Sequence, residues 1–418
     1  MQIAHVSSVL IWTISLASIL CMLLRPKRIA EAYWVCGGGI LLVLTRLIPL
    51  PQAAHAVYEG LDVYLFLLGM MILAELAREE GIFDWVANAA VQHARSSPRR
   101  LFVLIYLLGA FVTAVLSNDA TAVVLTPAVL AVVRRVKVEP KPYLLACAFI
   151  ANAASFVFPI SNPANLVIFD QHLPPLGMWL RIFLLPSSVS ILLTFLCLRW
   201  VSRKELRGEI WGEMKRVLLS TGGKLALAGI TIAAAALVAA SALGLPLGAP
   251  TCCAAIFAMA VVAWRDRSIP LKVVKGVSWS VLPLVAGLFV IVEALQNAGL
   301  LRLGLTGLRG LAETTTWVAK DTAALAVALL SNGMNNLPVG LMSGAAIRHA
   351  QETSKVAHAI LIGVDLGPNL SVTGSLATIL WLIALRREKV EITAWEFFKV
   401  GIIAMPIALI ASLLVLWN

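Results

Sequence analysis

Four short clusters carry most of the polar chemistry of this chain, and each one interrupts an apolar run. They are Ser117-Asn118-Asp119, Ser161-Asn162-Pro163 with Asn165, Ser331-Asn332 with Asn335 and Asn336, and Asp365 to Asn369 with Thr373 and Ser375. Amides and hydroxyls both donate and accept hydrogen bonds. Together with Thr121 and Thr378 they form an inventory suited to a small neutral polyhydroxy solute or a cation. No Arg or Lys lies in any of the four, whereas carboxylate and phosphate ligands usually recruit such cations. Ser, Asn and Gly also cap helix ends in many proteins, so a single cluster proves little. Four clusters in matching positions carry more weight.

Two acids stand among these residues. Asp119 follows Asn118, and Asp365 precedes the Gly367-Pro368-Asn369 break. An ionisable group inside a membrane is costly and functional by default, which makes both candidate proton carriers. Capping a half-helix while staying ionised is the competing role. Glu75 and Glu293 lie near the ends of their runs and read as snorkelling or structurally paired acids. His349 and His358 read as loop residues.

The elements that must hold these clusters follow from composition. Of 418 residues, 60% are hydrophobic and 13% charged, against about 45–50% and 25% in soluble domains. Apolar runs long enough for membrane helices recur from end to end. The first, 6–24, precedes its basic cluster and so does not read as a cleaved signal. The net charge of +11 falls between apolar runs, as membrane topology requires, and does not indicate nucleic acid. The six cysteines lie within apolar runs without zinc or disulfide spacing and read as filler, not as a thiolate metal site.

Helices are expected near 6–24, 30–48, 61–78 and 178–199, with an amphipathic piece near 82–95 and broken segments at 99–134 and 143–170. After a basic linker at 201–222, the order repeats: helices near 223–243, 249–264, 279–297 and 396–416, an amphipathic piece near 299–310, and broken segments at 318–348 and 356–386. Residues 69–83 (GMMILAELAREEGIF) match 287–301 (GLFVIVEALQNAGLL), and Leu116-Ser117-Asn118 recurs as Leu330-Ser331-Asn332. Internal repeats of this kind are a transporter signature.

If 99–134 and 318–348 are re-entrant hairpins, with Asn118 and Asn332 at their tips, each half crosses five times and the halves are inverted. Of the 33 Lys and Arg, 26 then share one side, which the positive-inside rule makes cytoplasmic, with both termini external. The expected fold is therefore an all-α polytopic membrane protein: an inverted repeat of two five-crossing halves, residues 1–200 and 223–418, with about ten transmembrane helices, two re-entrant hairpins and two discontinuous helices.

The runs Leu116–Thr121, Ser161–Val167, Met334–Pro338, Asp365–Asn369 and Gly374–Thr378 resemble those of the arsenite/antimonite efflux pump family ArsB, of the ion transporter superfamily. The resemblance covers essentially the whole chain. It implies export of trivalent arsenic or antimony hydroxide from the cell across the inner membrane. The proton gradient would drive it without a cofactor, by an elevator motion of hairpins and broken helices against a scaffold. It also implies a cytosolic ATPase subunit as a partner of some members; this chain itself lacks a phosphate-binding GxxxxGK[ST] loop. Where some pumps of that family carry an acid, this chain has Asn152. Competing readings are a Na⁺/H⁺ antiporter or silicic acid exporter of the same superfamily, and an intramembrane aspartyl hydrolase using Asp119 and Asp365.

Overall fold

Lipid offers no hydrogen-bond partners, so apolar runs in a membrane satisfy their backbone internally as helices. In the computed structural model, which describes residues 2–26, 29–169, 173–210, 218–299, 317–350 and 354–416, the described residues are helices and connecting turns. The first half contains α1 (Gln2–Leu24), α2 (Glu31–Leu44), α3 (Leu50–Glu59), α4 (Leu61–Glu79), α5 (Ile82–His93), α6 (Pro98–Val115), α7 (Asn118–Ala120), α8 (Thr126–Arg135), α9 (Lys141–Ala153), α10 (Pro163–Phe169) and α11 (Leu176–Val201). The second contains α12 (Thr221–Ala242), α13 (Gly248–Ala263), α14 (Ile269–Gly276), α15 (Val281–Asn297), α16 (Trp317–Met334), α17 (Asn336–Ala350), α18 (Ser354–Leu366), α19 (Leu376–Arg387) and α20 (Ala394–Leu416).

Among the described residues, six helices are long and apolar enough to cross a membrane, and the bent pair α3–α4 makes a seventh candidate. The helix expected over 30–48 stops at Leu44, because Arg46 turns the chain with a positive φ of 57°. The short α3 and α14 were not foreseen, and the piece expected near 299–310 lies mostly outside the described residues.

The helices sort into two groups. In one, α4 packs along α13, α2 along α15, α1 on α2 and α12 on α13. In the other, α11 packs along α20, α6 on α9, α10 on α17 and α16 on α18. The groups touch where α10 lies against α4 and α17 against α15.

Repeat-related helices exchange partners in the first group, and glycines permit it. A Cβ on Gly69 of α4 would sit 2.7 Å from the Thr251 backbone of α13. One on its repeat mate, Gly287 of α15, would sit 3.1 Å from the Cys36 backbone of α2. Both glycines of the matched letters therefore lie at close helix crossings.

The six basic segments meet at one end of the molecule. Arg25 feels the charge of Arg386, and Arg78, Lys275 and Arg387 share one hollow. Arg134 bonds Glu388, Lys141 bonds Glu396, and Arg99 lies beside Arg199. Helix α1 ends at this face and α20 starts there, so their outer ends lie at the opposite face. Helix α6 starts and α8 ends at the basic face, with the chain turning at Leu116 and Ser117 between them.

Candidate functional site

Each of the four clusters falls where a helix stops. At the first, Ser117 is extended (φ 176°, ψ 167°) and its hydroxyl accepts from the Ala120 N–H at 3.2 Å, capping α7. The chain then widens into a π-helical stretch, Thr121–Leu125, just before Pro127, which has no N–H to give. The Thr126 hydroxyl donates to the Thr121 carbonyl at 3.0 Å. Such π-bulges recur at functional sites.

The second break runs from Ala154 to Asn162. Asn162 caps α10, its Oδ1 accepting from the Ala164 N–H at 3.1 Å with Pro163 as the first helical residue. Asn165 ties the break together by donating from Nδ2 to the Ser155 carbonyl at 2.9 Å.

The third break is a single residue, Asn335, with φ 74°. It places the turn between α16 and α17 three residues beyond Asn332, which lies in the last turn of α16 rather than at the turn expected for it. A short polar side chain tolerates this left-handed conformation better than most. At the fourth break, Ser375 caps α19 in a reciprocal box with Thr378.

The helix starts from both halves converge. Asn118 and Asp119 of α7, Asn162 and Pro163 at the start of α10, and Asn336 of α17 line a small pocket. Its remaining wall includes Leu67 of α4 and Val281 and Val285 of α15, so it lies between the two helix groups. None of its described lining residues is Lys or Arg. Asn118 Oδ1 is buried without a hydrogen-bond partner among the described residues. An orphan acceptor in a cavity is a place for a ligand's hydroxyl.

The cavity opens toward the basic end. Through Leu67, Asp119, Pro163 and Val281 it joins a hollow of about 610 Å3 that also touches Ser117. That hollow shares Glu75, Gly276 and Leu380 with a vestibule of about 1670 Å3 flanked by Arg78, Lys275 and Arg387. Glu75 narrows the path, held by Arg78 with Nε donating to Oε2 at 2.9 Å. Its carboxylate rests where a Cβ on Gly276 would stand, so any larger residue there must push Glu75 from its seat. A separate hollow at the opposite end, beside Glu59, Asp62 and Leu166, shares no lining residue with the inner cavity.

The other predicted residues brace the breaks. Thr121 bonds Thr113 at 2.8 Å, Ser161 donates to the Ala114 carbonyl at 3.1 Å, and Ser331 donates to the Val327 carbonyl at 2.8 Å. Asn332 donates to the Gly367 carbonyl at 2.9 Å and accepts from the Ser371 hydroxyl at 2.7 Å. The Thr373 hydroxyl donates to the Asn332 carbonyl at 2.9 Å, and the Asn335 amide accepts from the Leu337 N–H at 3.3 Å. Asn369 donates to the Phe149 carbonyl and accepts from Asn152, both at 3.0 Å; Asn152 in turn accepts from the Ser375 hydroxyl at 3.2 Å. Asp365 is fully buried, and one of its oxygens accepts from Asn162 Nδ2 at 2.7 Å. It stands behind the cavity and touches it through Asn162.

Sequence reasoning missed Ser371 and the apolar wall from α4 and α15; Glu75, read as a snorkelling or structurally paired acid, is paired with Arg78, but its place at the neck was not read. Only Glu75 carried a signal, an acid repeated in both halves within an apolar run. His358 is a correction: it lies buried in α18 against Phe183 and Phe169, not in a loop.

A family model described as "Citrate transporter" (CitMHS) matches residues 19–365. The chain belongs to the CitMHS family. An "Arsenical pump membrane protein" of Escherichia coli is 28% identical over 402 residues, covering 92% of this chain and 93% of the relative. Another of the same description, from Yersinia enterocolitica, is 29% identical and covers 80% and 81%. An uncharacterized transporter of Mycobacterium tuberculosis is 26% identical over 85% and 86%. Among solved structures, the YdaH transporter of Alcanivorax borkumensis matches with a TM-score of 0.60 at 14% identity, covering 87% of this chain and 86% of that one. Neisseria gonorrhoeae MtrF matches at 0.55 and 12% identity, over 90% and 83%. This CitMHS member is a multi-pass membrane transporter rather than an enzyme, and the arsenical pump resemblance read from its motifs extends over nearly its full length.

Proposed function

We propose that this protein exports trivalent arsenic or antimony hydroxide from the cell in exchange for protons. The observation that carries the reading is the inner cavity: amides from both halves, one carboxylate, an orphan acceptor, and no cation among the described lining residues. Arsenous acid is a small neutral trihydroxide near pH 7. Amide oxygens accept from its hydroxyls, and amide N–H groups and helix-start N–H groups donate to its oxygens. The relatives named as arsenical pumps point to the same cargo. A citrate-like anion, which the family's description would suggest, calls for cations at the binding point. Those of this chain stand out in the vestibule.

Asp119 faces the cargo and is the first candidate for the exchanged proton; Asp365 is the second, acting through Asn162. One inward proton per neutral cargo moves one charge. At about 2.3 kcal/mol per charge per 100 mV, a 100 mV inside-negative potential supports roughly a 50-fold outward gradient.

In this reading the chain sits in the inner membrane with the basic end in the cytoplasm and both termini outside. The α6–α8 and α16–α17 segments are re-entrant hairpins of an inverted repeat, and the cavity is captured open to the cytoplasm. The group containing these hairpins moves as an elevator against the group built on α4, α13, α2 and α15. The thin contact between groups along the cavity suits such a motion.

The test is arsenite uptake into everted vesicles while the proton gradient, Na⁺ and metalloid are varied in turn. Uptake driven by acidic vesicle interiors, independent of Na⁺, is the expected result. Uptake that requires Na⁺, or none at all, overturns the reading.

A further inference from the structure

A cleft at the basic end, away from the cargo path, has the makings of a second site. It is a hollow of about 480 Å3 lined by Arg99, Arg199, Arg203, Leu206 and Arg207. The arginines come from two elements: Arg99 from the first turn of α6, and the other three from the end of α11 and the turns that follow. The Ile210 N–H donates to the Ser96 carbonyl at 3.1 Å, folding residues 202–210 back toward the start of α6. Leu206, buried to 2% exposure, forms the floor.

Four guanidinium groups repel one another, yet none of them pairs with an acid among the described residues. The nearest acids in sequence, Glu205 and Glu209, are exposed and leave them unpaired. Ring faces position two of the guanidiniums: Arg199 lies 6.0 Å from the Phe195 ring centroid and Arg203 lies 5.5 Å from that of Trp200. A planar fork of N–H donors matches phosphate oxygens. The N-terminus of α6, capped by Ser97, adds further positive potential beside Arg99.

The surface leading to the cleft tells which phosphate. Leu185, Leu192 and Leu196 are exposed on α11 at helical spacing, and they run up to exposed Trp200 and then to Arg199 and Arg203. An apolar track ending in a cationic cleft at the membrane surface suits an amphiphile, with acyl chains on the leucines and its phosphate among the arginines. We infer that Arg99, Arg199, Arg203 and Arg207 form a binding site for the phosphate headgroup of an anionic phospholipid. Basic pockets between membrane helices on the cytoplasmic side bind such headgroups elsewhere. The inference stands apart from the identity of the cargo.

The experiment titrates phosphatidylglycerol into the purified full-length protein, following its thermal unfolding midpoint, with phosphatidylcholine and inorganic phosphate as parallel arms. Phosphatidylglycerol should raise the midpoint saturably, and neither of the others should reproduce the rise. The triple variant R199Q/R203Q/R207Q should need roughly 100-fold more phosphatidylglycerol, at about fivefold per arginine. Its midpoint in phosphatidylcholine should match the wild type, as a check on folding. R203Q alone covers the case in which the triple variant does not fold, and should weaken the response about fivefold. R265Q/R267Q/K272Q, at the same end but outside the cleft, should respond like the wild type. An unchanged response in R203Q, an equal loss in the control variant, or an equal rise with inorganic phosphate overturns the inference.

Discussion

The two intramembrane acids occupy unlike surroundings, although both sit beside an asparagine at a helix break. Asp119 is half-buried and looks into the cavity next to Asn118, whose amide oxygen has no partner among the described residues. Asp365 is sealed within the protein, one oxygen bonded to Asn162 and the other, like Asn118 Oδ1, without a hydrogen-bond partner among the described residues. The contrast extends to the hairpins around them. The α16–α17 hairpin is tied to the fourth break by Asn332, Ser371 and Thr373, all bonded to one another. The α6–α8 segment has instead a π-helical stretch, and its polar ties run largely within itself, from Thr121 to Thr113 and from Thr126 to the Thr121 carbonyl. One side of the site is braced; the other is left with chemistry to offer. In a transporter, the offered groups should govern cargo and coupling, and the braced ones should govern stability.

The largest effect that separates the two sides concerns coupling. Asp119→Asn should abolish the proton-driven component of arsenite uptake while arsenite–arsenite exchange continues. Asp365→Asn keeps an oxygen for Asn162 and should retain more of the driven uptake. Equal behaviour of the two variants in a vesicle assay removes the distinction drawn between them. Next comes the braced hairpin. Asn332→Ala removes the bonds to the Gly367 carbonyl and the Ser371 hydroxyl, which keep the Leu370 N–H and Thr373 as partners, and should cost about 0.5–1.5 kcal/mol per bond lost, read as a fall in unfolding midpoint. Gly276→Ala pushes the Glu75 carboxylate from its seat and should cost a comparable overpacking penalty, about 1–3 kcal/mol, and slow uptake through the neck. Asn118→Ala should leave the midpoint nearly unchanged and weaken apparent arsenite affinity by about threefold to tenfold, the worth of one hydrogen bond. If it lowers stability as much as Asn332→Ala, the division between offered and braced groups fails. The smallest expected effect is that of removing all six cysteines, which should leave transport intact. Only Cys147 and Cys252 among them are buried, and they lie on helices of different groups.

Much of this was legible in the letters. Apolar length and punctuation located most helices, because lipid leaves the backbone no alternative. The repeat at 69–83 and 287–301 marked real helix crossings, since Gly69 and Gly287 permit the close approach. The Asn-Pro pair at 162–163 and the Ser-x-x-Thr pattern at 375–378 named their caps, because capping is local chemistry. What stayed hidden was long-range. No local pattern tells that Asn332 reaches Gly367 while Asn118 Oδ1 has no partner among the described residues, or that Asn152 joins Asn369 and Ser375 across the halves. The apolar wall of Leu67, Val281 and Val285 is indistinguishable in sequence from any other helix face. His358 looked like a loop residue because the broken helix around it is short and carries its aromatic partners elsewhere in the chain.

The claim on which the rest depends is that Asn118 borders a watery pocket reached from the basic end, whereas Asn369 does not. In a cysteine-free background, Asn118→Cys and Asn369→Cys can be exposed to a membrane-impermeant maleimide from each side in turn. The account predicts that Asn118→Cys is labelled from the side carrying Arg78 and Lys275 and that Asn369→Cys resists labelling from both. Labelling of Asn369→Cys with Asn118→Cys protected would contradict it.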